Sequence, residues 1–285
     1  MSNLHEQTTS NKTFKDLHTA QELIHYLDDQ ARRLDNSPYL FQYTRLSSLV
    51  AMIKSRKWHL CNAKRMNDVL EYKDGSAAIW ENLFFTCFMG EDAESIGMWS
   101  MYAQPWEDGV KIGLPRKMLR TLARSIKTIY EVNPDNYELT ERSISVSNDV
   151  TIKISSVAYS NRYSLTNNTD PIEISWSNQK NTNLSNELHS PLLTGYIKDT
   201  AWSYEKEVRL KVEFNNSLGF QRTAIDIPDE VVDSLIITAS PLFEGNLEDR
   251  LKQEIEKQLK TKKSLFTDKL KIKTPCEKCE FKKAK

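Results

Sequence analysis

Apolar positions recur along this chain in two periods, and the changes of period mark its elements. From Phe14 to Leu34, the residues Phe14, Leu17, Ile24, Leu27, Ala31 and Leu34 are spaced by three, four and seven, which predicts one amphipathic helix ended by Asp35-Asn-Ser-Pro38. Tyr39-Leu-Phe-Gln-Tyr-Thr44 is rich in aromatic residues and reads as a strand. Leu46, Leu49, Val50 and Ile53 then share a helical face, with Thr44 and Ser47 placed to start that helix. Trp58 to Cys61 is a short strand, and the polar loop after it holds Asn67, Asp68, Glu71 and Tyr72, with Asp68 positioned to cap a helix. Leu83 to Phe88 is a continuous apolar run of strand length, the pattern of a strand buried on both faces. Met98 to Ala103 predicts a short helix and Gly109 to Leu114 a strand. Pro115 opens a helix whose stripe is Met118, Leu119, Leu122, Ile126 and Ile129.

Residues 133–190 change character: they are dense in Asn, Ser and Thr, with β-type runs at Val150 to Ile154 and Ser156 to Tyr159. They predict one or two strands and a variable, mobile polar insertion near 160–188. Leu192 to Thr200 reads as a short helix. Trp202-Ser-Tyr-Glu-Lys-Glu-Val-Arg209 then runs into the alternation Val208, Leu210, Val212, Phe214. If this stretch is extended, Glu205, Glu207 and Arg209 share one face, opposite Tyr204, Lys206, Val208 and Leu210. Thr223 to Ile227 and Ser234 to Thr238 predict strands, Phe243 to Leu259 a long amphipathic helix, and Leu270 to Lys273 a last strand, an order that suggests a closing crossover unit. In the first half the strands stand too close together for regular crossovers. The expected class is therefore α+β, a mixed central sheet with flanking helices in a single main domain. That domain spans 39–260, after a disordered start and N-terminal helix over 1–38 and before a basic C-terminal tail over 261–285.

Charge narrows the partners. Lys plus Arg equals Asp plus Glu, 39 each, so the whole molecule offers no long-range field to nucleic acid or membrane. From Lys260 onward ten Lys face only Asp268, Glu277 and Glu280, which makes the tail the candidate contact for nucleic acid or an acidic partner. No run reaches the roughly eighteen apolar residues of a membrane span, and the first residues lack a secretory apolar region, so no membrane and a cytoplasmic location are expected. Cys61 and Cys87 lie in apolar stretches and read as packing residues. Cys276 and Cys279 form half a zinc site with no second half in view, and no metal is expected.

Three blocks carry a resemblance: Tyr39 to Thr44 with the following helix and Asn67, Asp68 and Glu71; Thr86-Cys-Phe88 leading to Met98-Trp-Ser-Met-Tyr102 and Gly109-Val-Lys-Ile112; and Trp202 to Arg209. Over about residues 39–260 these resemble the bacterial family called domain of unknown function 2971, with Asn67-Asp-Val69 where its members usually carry Asn-Asp-Pro. The layout is also similar to ADP-ribosyltransferases, in which a polar early strand, a hydroxyl and aromatic middle element and a late Glu-x-Glu follow in order. Here Tyr43, Thr44 and Arg45, then Ser100 and Tyr102, then Glu205 and Glu207 stand in that order.

That second likeness implies NAD and a small-molecule nucleotide site. Cleaving the nicotinamide bond builds positive charge on the ribose, which a carboxylate such as Glu207 would stabilise. Glu205 would orient or deprotonate the accepting nucleophile, opposed in its pKa by Arg209. Trp99 and Tyr102 would stack on nicotinamide or adenine, and Asn67 and Asp68 would complete the substrate contacts. The leading expectation is an NAD-dependent ADP-ribosyltransferase-like effector of bacterial stress or phage defence. One alternative is a metal-dependent toxin that cleaves or modifies nucleic acid, using Asp68, Glu71, Glu205 and Glu207 around Mg²⁺. Another is a non-catalytic sensor or partner-binding protein. The same residues also read without any function, as cross-strand ion pairs beside rings that fill a core.

Overall fold

The structure, a computed structural model, describes residues 12–33, 37–68, 71, 77–163, 171–255 and 258–267. The expectations for a disordered start over 1–11, for Leu34 to Asn36, Val69 and Tyr72, for a strand at Leu270 to Lys273 and for Cys276 and Cys279 fall outside the described residues. So does the tail from 268 onward.

The strands in chain order are β1 (Tyr39–Arg45), β2 (Lys57–Asn62), β3 (Leu83–Met89), β4 (Gly109–Pro115), β5 (Thr128–Val132), β6 (Leu139–Ser145), β7 (Val150–Ser156), β8 (Ala158–Ser160), β9 (Ile174–Trp176), β10 (Gln179–Asn181), β11 (Ile197–Asp199), β12 (Glu207–Phe214), β13 (Arg222–Asp226), β14 (Ile236–Ala239) and β15 (Lys260–Lys262). The helices are α1 (Ala20–Arg32), α2 (Leu46–Ser55), α3 (Ala77–Glu81), α4 (Ile96–Tyr102), α5 (Arg116–Ser125), α6 (Asp229–Asp233) and α7 (Leu247–Glu254). This is the expected α+β architecture. A large sheet runs β15-β14-β4-β1-β3-β2-β13-β5-β6, and β12, flanked by β7, adds to β3; β8 to β11 form a second, four-stranded sheet.

Alternation along the strands divides the large sheet into two faces. Leu40, Leu60, Phe84, Phe88, Ile112, Leu210 and Val212 pack under α2, α5, α6 and α7. On the opposite face Phe41, Tyr43 and Met89 meet Met98 and Trp99 of α4, while Leu83 and Phe85 meet Trp80. The continuous apolar run of β3 is thus explained by burial on both sides.

One strand is shared unevenly. β12 pairs with β3 along its whole length, from Glu207 opposite Met89 to Glu213 opposite Leu83. The other edge of β3 is divided: β1 meets it at Met89, and β2 meets it at Phe85 and Phe84. Between those contacts β1 and β2 splay apart along Thr86, Cys87 and Phe88.

Several elements differ from expectation for local reasons. The first helix begins at Ala20, not Phe14, because Thr19 and Glu22 form a capping box there. Phe14 and Leu17 still bury against Ala158, Ile174 and Tyr196, which is why their spacing mimicked a longer helix. Neither Thr44 nor Ser47 caps α2; its N-cap is Arg45, without a side-chain bond. Ile129 belongs to β5, not to the helical stripe. The long helix expected from Phe243 shrinks to α7: Gly245 adopts φ +81° and Asn246 caps the helix through the amides of Glu248 and Asp249, while Ile255 and Leu259 bury from extended chain. That chain adds β15 parallel to β14, so the crossover unit closes at Lys260–Lys262. Leu192 to Thr200 is not a helix; it supplies a 3₁₀ turn and β11. Within the segment expected as a mobile insertion, β9 and β10 are formed, and Asn181 Nδ2 donates to the carbonyls of Phe14 and Leu17 at 2.7 and 3.0 Å. No helix among the described residues is long and apolar enough to cross a membrane.

Candidate functional site

The stretch expected as one extended strand turns in its middle. Asp199 caps a 3₁₀ segment over Thr200–Glu205 by accepting from the Ala201 amide, and Lys206 at φ +45° reverses the chain before β12 starts at Glu207. Glu207, Arg209, Lys211 and Glu213 then share one face of β12.

Arg209 is fully buried, and its five N–H groups are all used. Nε and NH2 donate to the two oxygens of Glu207 at 2.9 and 3.0 Å. NH1 and NH2 form a second fork on Glu71, the NH2 arm at 3.0 Å, and NH1 also donates to the Gly195 carbonyl at 3.1 Å. The guanidinium lies 4.6 Å from the Phe85 ring centre. Gly195 can approach because it has no side chain: its φ is +74° and a Cβ would stand 2.7 Å from Phe85.

Lys198 of β11 joins this pair to Glu205. Its Nζ donates to Glu205 Oε2 at 2.5 Å and to Glu207 Oε2 at 3.4 Å, and it lies 4.6 Å from the Trp202 ring centre. The Tyr102 hydroxyl donates to Glu205 Oε1 at 2.5 Å and accepts from Asn67 Nδ2 at 3.3 Å. Asp68 is buried, accepts the Asp199 amide at 3.3 Å and so fixes β11 beside the site.

Three carboxylates, Glu71, Glu205 and Glu207, thus surround two cations, and their acidities diverge. Burial pushes Glu205 up, and the charge of Glu207 adds to this against the pull of Lys198. Burial also acts on Glu207, but Arg209 and then Lys198 outweigh it and hold the carboxyl down at about 2. Glu71 stays raised because burial outweighs Arg209. Lys198 is raised, since Glu207 and Glu205 together overcome its burial. Tyr102 is raised by burial and then by Glu205.

Glu207 couples stability to pH. Its folded pKa lies below the ordinary value of 4.5, so the stability it contributes is present above that pH and lost as pH falls toward about 2. Glu71 and Glu205, being raised, act in the opposite sense, so the comparison must isolate one residue. Glu207→Gln is expected to unfold at lower urea than wild type at neutral pH, with the gap closing as pH falls through that window. A gap that stays constant in acid would show that Arg209 does not hold the carboxylate charged.

A cavity of about 380 Å³ opens over the place where β1 and β2 separate. Of the residues singled out in the sequence, Tyr43, Asn67, Tyr102, Glu205 and Glu207 line it. Six do not. Arg209 and Asp68 are buried behind the wall, Thr44 is half-buried off the cavity, and Arg45 and Ser100 are exposed elsewhere, with Arg45 bonded to the Gln104 carbonyl. Trp99 is fully buried, stands edge-on to Tyr43 with ring centres 4.7 Å apart, and bonds Glu94 at 3.2 Å, so it supports the wall and offers no face to a ligand.

Sequence reasoning missed Lys198, Gln42, His59, Cys87 and Arg222 in the lining. The alternation of β2 and β3 held the signal for His59 and Cys87, which fall on the same face as Cys61 and Phe85. Burial lowers His59, with Arg222 adding to the effect, and raises the Cys87 thiol well above its usual range, with Glu207 adding. Both are neutral at physiological pH, and Cys87 is not an activated nucleophile.

The carboxylate quartet imagined around Mg²⁺ is not assembled. Glu71 and Glu207 give their oxygens to Arg209, Asp68 faces a backbone amide, and among the described residues no group of three or more His, Cys, Asp or Glu is arranged to hold a metal ion.

No curated protein and no solved structure matches the chain. The match to a family covers part of the second sequence block and all of the third, and leaves the first, from Tyr39 to Glu71, outside it. Residues 98–210 match the family described as Protein of unknown function (DUF2971).

Proposed function

We propose that the cavity is the active site of an enzyme working at the glycosidic bond of a nucleotide, with NAD as the favoured substrate and transfer of its ribosyl group as the reaction. The observation that carries this reading is the pair Glu205 and Glu207: both line one cavity, both bond Lys198, and their acidities are driven apart. Two carboxyl groups tuned in opposite directions divide the labour of acid–base and electrostatic catalysis. Glu207, held charged, stabilises positive charge developing on the ribose. Glu205, whose raised pKa makes it the stronger base, takes the proton of the attacking nucleophile.

The lining fits one half of such a substrate. A volume of about 380 Å³ is at the lower end for small-molecule clefts and suits a nucleoside-sized group, with the rings of Phe41, Tyr43, Phe85 and Tyr102 on its apolar side.

Nicotinamide release from labelled NAD, with and without cell lysate as a source of acceptor, tests the reaction. Unfolding midpoints test the binding. NAD at a hundred times its dissociation constant stabilises by about 2.7 kcal/mol, or roughly 5–11 °C for a domain of this size. Release of nicotinamide together with a raised midpoint is expected. A raised midpoint without release would leave a binding protein, and neither result would remove NAD from the account.

A further inference from the structure

Farther along the same face of β12, a second cavity of about 260 Å³ is separated from the first by Arg209 and its carboxylates. Ile24, Thr151, Lys153, Tyr196, Lys211 and Glu213 are among the residues lining it. Lys211 is 4% exposed, yet among the described residues its Nζ makes no ion pair; it meets the face of Tyr196, 2.8 Å from the ring centre.

Burial works against protonation of this amine, and the charges around it are of both signs. Lys153 stands directly opposite it in the β7–β12 ladder, and Arg209 precedes it by two residues on the same face. Asp28 of α1 and Glu213 of β12 are the acidic groups that act on it, and neither forms an ion pair with it. Asp28 is itself raised by burial and lies against the Tyr196 hydroxyl. A buried ammonium without a counter-ion is costly, and the site relieves that cost by releasing the proton. Burial accordingly pushes Lys211 well below the usual lysine range.

We propose that Lys211 is the nucleophile of a second site, a pocket that binds a small aldehyde or ketone and condenses with it to an imine. The Nζ lone pair attacks the carbonyl carbon, and the π pair moves onto oxygen to give a carbinolamine. Both amine protons end on that oxygen, which leaves as water as the C–O bond breaks and C=N forms; no oxidant or reductant is needed. Asp28, which acts on the amine, and Tyr196, whose ring it meets, can relay the protons. This site is independent of the one formed by Glu205 and Glu207.

Reductive trapping of the full chain tests the assignment, with propionaldehyde as the probe, cyanoborohydride as the trap, and peptide mass spectrometry as the readout. At about pH 7 exposed lysines are almost wholly charged, and each pKa unit of depression raises the fraction of free amine about tenfold. Lys211 is therefore expected to be alkylated more than about tenfold faster than the exposed lysines, and the fast adduct to vanish in Lys211→Met. The rate on wild type, followed against pH, is expected to level off well below the pH at which the other lysines do, and this holds whether or not the variant folds. Alkylation of Lys211 no faster than the rest, or only in denaturant, would overturn the proposal.

Discussion

Arg209→Met is expected to lower the unfolding free energy by about 3–5 kcal/mol, and so the melting temperature by roughly 6–20 °C. The guanidinium is fully buried and holds two carboxylates by two-pronged contacts, Glu71 and Glu207, that are themselves buried. Removing it takes the ion-pair partner from Glu71 and leaves Glu207 only the longer bond to Lys198 at 3.4 Å. Met keeps much of the volume against Phe85, so the loss reports charge and hydrogen bonding more than packing. Arg209→Lys is expected to recover only part of it, because one ammonium cannot serve both forks and the Gly195 carbonyl. Adding Glu71→Gln and Glu207→Gln to Arg209→Met removes the stranded charges and is expected to restore most of the stability. Chemical denaturation of the four proteins measures this directly. A single-variant loss below about 1 kcal/mol would mean that the site tolerates its charges unpaired.

The same guanidinium shows how far the sequence could be read. Glu205, Glu207 and Arg209 were legible as a charged strand mouth, because three ionisable groups beside the apolar alternation of β12 are unusual, and they do form ion pairs, though within β12 and with Lys198 and Glu71 instead of across neighbouring ladder strands. The rule that placed them on one face was half right. Lys206 in the left-handed region takes Glu205 off the strand, and Lys198, not alternation, returns it to the side of Glu207. Lys198 itself was hidden because Leu192 to Thr200 looked helical, and a three-residue strand has too few positions to show a period.

Elsewhere the legible parts were those settled by local burial. β1, β2, β3, β4 and α2 read correctly because each buries a face whose period is set within a few residues. Trp99 was not legible in this way. In sequence it is one of two aromatics on α4, and only the packing of that helix on Tyr43 decides whether it faces a ligand or a core. The parting of β1 and β2 along β3, which creates the cavity, depends on pairing between segments far apart in the chain and leaves no local trace.

Glu205→Gln is expected to reduce nicotinamide release by about 10²–10⁴-fold while leaving the fold intact. The amide keeps the size of the carboxyl and retains an oxygen for either Tyr102 or Lys198, so the wall should hold. What it loses is the proton-accepting group. Burial and the neighbouring Glu207 charge raise Glu205, so the wild-type rate is expected to climb as pH rises through that raised value, when the carboxyl loses its proton and becomes a base. In Glu205→Gln that limb should disappear. Glu207→Gln is expected to behave differently, losing rate across the whole pH range and stability as well, because a neutral amide cannot stabilise the ribose cation or balance Arg209. Rates of nicotinamide release against pH for the three proteins separate the roles. If Glu205→Gln keeps both the wild-type rate and its pH limb, Glu205 only anchors Lys198 and Tyr102, and the base must come from the acceptor or from another cavity residue.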